Sequence, residues 1–284
     1  MRNNKLPLNI TRCGDTEFRW GEHTYIMGII NMSPDSFSGD GLGSNIDKTL
    51  KQAERFITDG ADIIDIGGES TRPGSQPISL DEELNRVIPV IERLAAEVIV
   101  PISIDTSKSA VASRAIDAGT SMINDVWGLK QDPELARVAA KAGVPIILTS
   151  NQRNESCQRD IMVEVIDDLQ KSMALAKKAG VVKQNIIIDP GIGFGKSLVQ
   201  NLEIIRRLAE LKSLNKPILL GTSRKSLIGL VLDLPPDQRL EGTAATVAIG
   251  IANGADIIRV HDVKQMSRVC RMSDAIIRRK TDEC

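Results

Sequence analysis

The segment PISIDTSKSAVASRAIDAGTSMIN, residues 101–124, holds the plan of the whole chain. Ile102 to Asp105 is a short aliphatic run that ends on an acid, and Lys108 to Ala118 carries apolar residues at helical spacing. Gly119-Thr120 then stops the helix, and Met122 to Asn124 is a second aliphatic run, ending on an amide. Runs of this kind suit strands buried on both faces, as in a parallel sheet covered by helices. Glycine after the helix relieves the left-handed conformation in which many helices end. Residues 101–124 therefore read as a β-α-β unit whose two strands each finish on a side chain capable of chemistry.

The same rhythm extends in both directions. Strand starts at Tyr25, Asp62, Pro101, Met122, Pro145, Ile186, Pro217 and Asp256 alternate with helical patterns over Ile46–Asp59, Leu80–Ala96, Lys108–Ala118, Asp132–Ala142, Arg159–Ala179, Leu198–Leu211, Arg239–Asn253 and Lys264–Arg279. Gly60, Gly119, Gly143, Gly180 and Gly254 each stand between a helix and the next strand. Eight such strands predict an α/β fold of the (β/α)8 TIM-barrel type. An open doubly wound sheet is the competing architecture, but no GxGxxG follows an early strand and the polar strand ends are spread along the whole chain. Upstream, Leu8 to Tyr25 reads as a loose hairpin turning at Cys13-Gly14-Asp15, so residues 1–24 are expected to flank or plug a single barrel domain of residues 25–284.

Composition agrees. Aromatic residues are only 2% of the chain, so the core must be built from Ile, Leu, Val and Ala, which favours parallel strands under helices. Lys and Arg number 36 against 37 Asp and Glu, leaving no global field to attract nucleic acid or an anionic membrane. Apolar stretches are of strand length and Met1–Thr11 lacks a signal-peptide core, so a cytoplasmic protein with no membrane partner is expected. Cys13, Cys157, Cys270 and Cys284 lie far apart and the chain has two histidines, which supports neither a zinc site nor a disulfide framework.

In a parallel barrel the strand ends share one edge. Asp65, Asp105, Asn124 and Asp189 form a first group there. One such Asp would be read as a cap of the next helix, but four together require cations, backbone donors or a ligand rich in N–H groups. A second group suits an anion: Gly221-Thr-Ser-Arg-Lys-Ser226 precedes a helix start, Arg259 and His261 lie two apart on one strand face, and Thr71-Arg72-Pro73 can reach the region. Together they suggest a strongly anionic group such as a diphosphate. The spacing is not that of a Walker loop. Asn31 is a candidate ligand for a divalent ion bridging phosphate oxygens. Phe37 either caps an aromatic substrate or anchors its loop to the rim. The glycines of Gly191-Ile-Gly-Phe-Gly-Lys196 are more economically a tight loop positioning Asp189 than a phosphate cradle.

These motifs together resemble dihydropteroate synthase, a family of pterin-binding enzymes. The matching segments are MGIINMSPDSFSGDG (27–41), DIIDIGGESTRPGS (62–75), SIDTSK (103–108), INDVWG (123–128), IIIDPGIGFGKS (186–197), LLGTSRKS (219–226) and IIRVHDV (257–263). The resemblance implies a transferase of folate synthesis that condenses 6-hydroxymethyl-7,8-dihydropterin diphosphate with 4-aminobenzoate. It implies that Asp105, Asn124, Asp189 and Lys225 bind the pterin, with Asp65 beneath it and Phe194 and Gly221 lining the pocket. It places Asn31, Thr71, Arg72, Arg259 and His261 around the diphosphate, with Mg2+ as cofactor at Asn31. Ser226 would take the aminobenzoate carboxylate, with Phe37 and Pro73 shaping that pocket. Asp105, Lys225, Arg259 and His261 would carry the catalysis. A homodimer through the last helices, where Ile276 and Ile277 lie among basic residues, and a role as sulfonamide target also follow from the resemblance.

One segment departs from the family. Where Met-His usually follows strand five, this chain has Leu148-Thr-Ser-Asn-Gln-Arg153, which gives the pterin a smaller or more polar wall. A pterin-dependent methyltransferase, and a catalytically silent pterin-binding homologue, are the alternatives. The diphosphate-binding segments argue against the first, and the altered strand-five loop motivates the second.

Overall fold

The computed structural model describes residues 10–32, 46–70, 75–153 and 159–278. Eight parallel strands, β3 (Tyr25–Asn31), β4 (Ile63–Gly67), β5 (Ile102–Asp105), β6 (Met122–Asp125), β7 (Ile146–Thr149), β8 (Ile186–Asp189), β9 (Leu219–Leu220) and β10 (Ile257–Val260), pair in the order β8-β7-β6-β5-β4-β3-β10-β9. A parallel bridge between Ile188 and Ile218 joins the two ends, with Ile188 N donating to Pro217 O at 3.0 Å, so the sheet closes into a barrel. Strand β9 is short for a local reason. Pro217 has no N–H to donate, and Ile218 N is taken by the Asp256 carboxylate at 3.0 Å.

The helices are α1 (Ile46–Thr58), α2 (Leu80–Glu97), α3 (Ser109–Asp117), α4 (Glu134–Ala142), α5 (Ile161–Lys178), α6 (Leu198–Arg206), α7 (Ser226–Leu232), α8 (Leu240–Ala252) and α9 (Val263–Ile277); eight of them lie on the stretches of helical spacing, and the short α7 lies outside those stretches. One boundary differs by more than two residues. The pattern read as a helix to Leu211 stops at Arg206, and Leu208–Leu214 continues as 3-10 helix ending on Asn215 in the left-handed conformation. Capping side chains set several starts: Ser197 and Gln200 form a reciprocal box at α6, and Asp160 accepts from Met162 N and Val163 N at α5.

Strand alternation divides the interior into two regions. Outward residues such as Ile64, Ile66, Ile104, Ile123, Leu148, Ile188 and Ile258 join the apolar faces of the helices in one large core. Inward residues near the strand starts, Met27, Ile63, Met122, Ile147, Ile187, Leu219 and Ile257, form a separate floor with Cys13, Phe18, Trp20 and Tyr25. The hairpin, β1 (Ile10–Cys13) paired antiparallel with β2 (Thr16–Arg19), therefore plugs the bottom of the barrel. Its rings pack on one another: Phe18 stacks on Trp20 at 5.5 Å and meets Tyr25 edge-on at 4.9 Å. Trp20 Nε1 donates to Thr11 Oγ1 at 2.9 Å, and Thr11 Oγ1 donates to Gln184 O at 2.6 Å, so the buried polar atoms of the plug are satisfied.

Candidate active site

Two residues beyond most floor residues the inward position turns polar: Ile63 leads to Asp65, Met122 to Asn124, Ile147 to Thr149, Ile187 to Asp189 and Ile257 to Arg259, while Leu219 leads to Gly221 and Met27 to the apolar Ile29, with Asn31 beyond it. Strand β5 contributes Ser103, paired in register with Asp65, and Asp105, paired with Asn124. The geometry thus brings the expected acids and amide to one edge.

Arg259 is the centre of the arrangement. Its Nε donates to Asp65 Oδ2 at 2.6 Å and its Nη2 to Asp105 Oδ2 at 2.7 Å, while Asn124 Nδ2 donates to the same Asp65 oxygen at 3.1 Å. Arg259, expected among the anion-binding residues, thus also bridges two carboxylates of the first group. Asp65 Oδ1 and Asp105 Oδ1 remain buried without a hydrogen-bond partner. Burial raises the Asp105 carboxyl above the ordinary range, with Arg259 pulling the other way and Asp65 adding to the rise. Burial also raises Asp189, whose Oδ1 accepts from Gly191 N at 2.7 Å and which faces the charge of Lys225. The tight-loop reading of Gly191–Lys196 is therefore what the structure shows.

Lys225 stands at the N-terminus of α7, donates to Ile192 O at 2.6 Å and lies over the Phe194 ring at 4.9 Å. Desolvation lowers its pKa to about 8 against the pull of Asp189. Gly221 leaves room beside it: a Cβ there would lie 3.8 Å from both Arg259 Cβ and Lys225 Nζ. His261 Nδ1 is 3.0 Å from Ser223 Oγ, which also accepts from His261 N at 3.2 Å, so the imidazole is held at the same edge. Ser226 is exposed at the first turn of α7. Asn31 ends β3 over Gly67, where a Cβ would lie 3.8 Å from Asn31 Oδ1. Phe37, Thr71, Arg72 and Pro73 lie outside the described residues.

Three features add side chains to the site within segments already singled out in the sequence or beside them. Arg153 lies 4.6 Å from the Phe194 ring centroid and 6.0 Å from that of Trp127, forming a further wall. Ser223 orients His261, which the Thr-Ser pair ahead of Arg224 could have suggested. Thr149 Oγ1, Ser150 Oγ and Gln152 Oε1 are buried without hydrogen-bond partners, so the unusual end of β7 is polar, and Thr149 and the likewise unpartnered Ser103 of β5 lie on inward positions.

A pterin-binding enzyme family model matches residues 27–261. The chain is 51% identical to dihydropteroate synthase of Clostridium beijerinckii over 94% of this chain and 100% of that one, and 54% identical to that of Bacillus subtilis over 90% of each. The chain belongs to the dihydropteroate synthase family. A solved dihydropteroate synthase from Clostridium difficile, crystallised in the presence of pteroic acid, superposes with a TM-score of 0.89 at 51% identity, covering 92% of this chain and 100% of that one. The Xanthomonas albilineans dihydropteroate synthase solved with 4-aminobenzoic acid gives 0.88 at 37% identity, covering 94% and 97%. Among these dihydropteroate synthases nothing supports the methyltransferase or silent-homologue alternative.

Proposed function

We propose that this transferase condenses 6-hydroxymethyl-7,8-dihydropterin diphosphate with 4-aminobenzoate, forming 7,8-dihydropteroate and diphosphate. One observation carries the assignment of roles: two buried carboxylate oxygens, Asp65 Oδ1 and Asp105 Oδ1, have no partner and share a strand-end edge with Asn124 and Asp189. Carboxylates and an amide set this way match the amino and ring N–H donors of a flat heterocycle. Lys225 and Phe194 border the same pocket, and His261, Ser223 and the start of α7 supply donors for an anion beside it.

The C–O bond to the leaving diphosphate breaks with its electron pair going to oxygen, and positive character develops on the pterin methylene. Asp105, buried and held against Arg259, stabilises that charge where it forms. The aminobenzoate nitrogen forms the new C–N bond and then loses a proton. No side-chain nucleophile is required, because alignment of a neutral arylamine with a good leaving group is the main demand. Among the described residues no three His, Cys, Asp or Glu side chains converge as a metal cage, whereas a Mg2+ ion needs only one or two protein oxygens, so Asn31 suits it. Bound there with substrate oxygens, Mg2+ would neutralise charge on the departing diphosphate.

The same reading includes a homodimer and a cytoplasmic location. Ile249, Met272, Ile276 and Ile277 on α8 and α9 are 43–64% exposed, an apolar surface suited to a second copy. Cys13 and Cys270 are buried free thiols, as a reducing compartment allows, and among the described residues no helix is long and apolar enough to cross a membrane. A steady-state assay should show diphosphate release that depends on 4-aminobenzoate. Tight pterin binding without turnover would overturn the reading.

A further inference from the structure

The loop from β8 to α6 has Asp189 at its root and Phe194 at its tip, and it leans on the end of β7. Beyond the strands, Ser150 N donates to Asp189 O at 2.9 Å and Gln152 N to Phe194 O at 3.3 Å. A Cβ on Gly191 would lie 1.9 Å from Ser150 O and one on Gly195 2.3 Å from Gln152 C, so the two segments touch backbone to backbone. Lys196 sits inside this contact. Its Nζ donates to Ser150 O at 2.8 Å, Gly191 O at 3.1 Å and Phe194 O at 3.3 Å. An ammonium has three N–H bonds, and carbonyls from both segments take all of them.

Such a lysine is costly. Burial lowers its pKa to about 7, although Asp189 and Asp168 act in the opposite direction, and Lys130 and Lys225 add to the lowering. A glutamine or an apolar side chain would fill a purely structural position with less desolvation. Arginine would not replace it, since a planar fork cannot direct three donors from one tetrahedral nitrogen.

We propose that Lys196 is a positioning residue of the pterin pocket, clasping the end of β7 to the β8–α6 loop and thereby fixing the Phe194 ring between Lys225 and Arg153. The clasp joins the segment in which this chain departs from its family to the wall that the pterin must meet. It deepens the pterin-site reading above and rests on it.

The test compares wild type, Lys196→Met and Lys196→Gln by steady-state kinetics, by calorimetry with 6-hydroxymethylpterin, and by thermal melting. Loss of charged hydrogen bonds to the loop should raise the KM for pterin diphosphate and the Kd for hydroxymethylpterin about tenfold in Lys196→Met, with the KM for 4-aminobenzoate within about twofold. Lys196→Gln, which keeps two donors, should fall between. A lysine needed only for folding would lower the melting temperature and the calorimetric stoichiometry while leaving the Kd of the folded fraction unchanged, and that result overturns the clasp. If Lys196→Met does not fold, the same comparison is made with Lys196→Gln alone, and an unchanged Kd there is equally fatal. Wild-type protein that neither binds hydroxymethylpterin nor releases diphosphate would instead remove the pocket reading, and the clasp with it.

Discussion

Arg259 reaches across the barrel mouth to carboxylates 194 and 154 residues earlier in the chain. Its strand end was legible in the sequence, but its partners were not, because they depend on which strands face each other across a closed barrel. The acids were legible as a group for the opposite reason: each ends its own aliphatic run. Asp105 gives a test with a sign. Its folded pKa is raised by burial, so as pH falls it takes up a proton earlier than an ordinary carboxylate, and stabilisation of the methylene is lost. The acid limb of kcat/KM for the pterin should therefore lie above the pH of an unperturbed aspartate, since that parameter reports the free enzyme. Asp105→Asn should lose this limb and about 100-fold or more in kcat. Full turnover in that variant would remove the electrostatic part of the mechanism. Lys225 makes the complementary case. Its pKa, lowered to about 8 by burial, means the unfolded chain holds the proton more tightly between about 8 and the ordinary lysine value, so stability rises with pH through that window. Lys225→Met should abolish turnover yet match or exceed the wild-type melting temperature at pH 7, with any gain shrinking by pH 10. A melting temperature several degrees lower at pH 7 would show that its contacts outweigh its desolvation.

At the level of elements, helices read well from spacing because each has one face on the barrel, while breaks made by tertiary contacts did not. Leu208–Leu214 keeps the apolar spacing of α6 yet continues as 3-10 helix, and β9 is cut short by Pro217 and the Asp256 carboxylate. The β8–α6 loop lies between these extremes. Its glycines announce a tight turn, but only the packed structure shows what they avoid. Gly191 has φ of 72° and no room for a Cβ beside Ser150 O, so strain and collision act together at one position. Gly191→Ala should destabilise the protein by about 2 kcal/mol or more and displace the Asp189 and Phe194 wall. Denaturant unfolding together with the pterin KM checks both parts. A stable variant with an unchanged KM would mean that the two loops can separate without consequence.

Across the whole molecule, stability and chemistry occupy opposite ends of one barrel. The hairpin was legible as a hairpin, but its place beneath the strands was not, since nothing in residues 1–24 indicates which end they meet. That place explains the uneven use of aromatic residues. One of the two tryptophans, the single tyrosine and Phe18 close the floor, while the aliphatic layer above them separates the plug from Asp65, Asn124 and Arg259. Phe18 is fully buried against Trp20 and Tyr25, and truncating such a ring costs transfer energy plus a cavity that the rigid floor cannot collapse to fill. Phe18→Ala should therefore cost about 3–5 kcal/mol in urea unfolding. The native fraction should keep its kcat and both KM values, because the polar layer is held by its own ion pairs and by strand register rather than by the plug. A variant that lost pterin affinity in proportion to its stability would show that the floor transmits strain through Met122 and Ile187 to the acids above, and that the two ends are mechanically one.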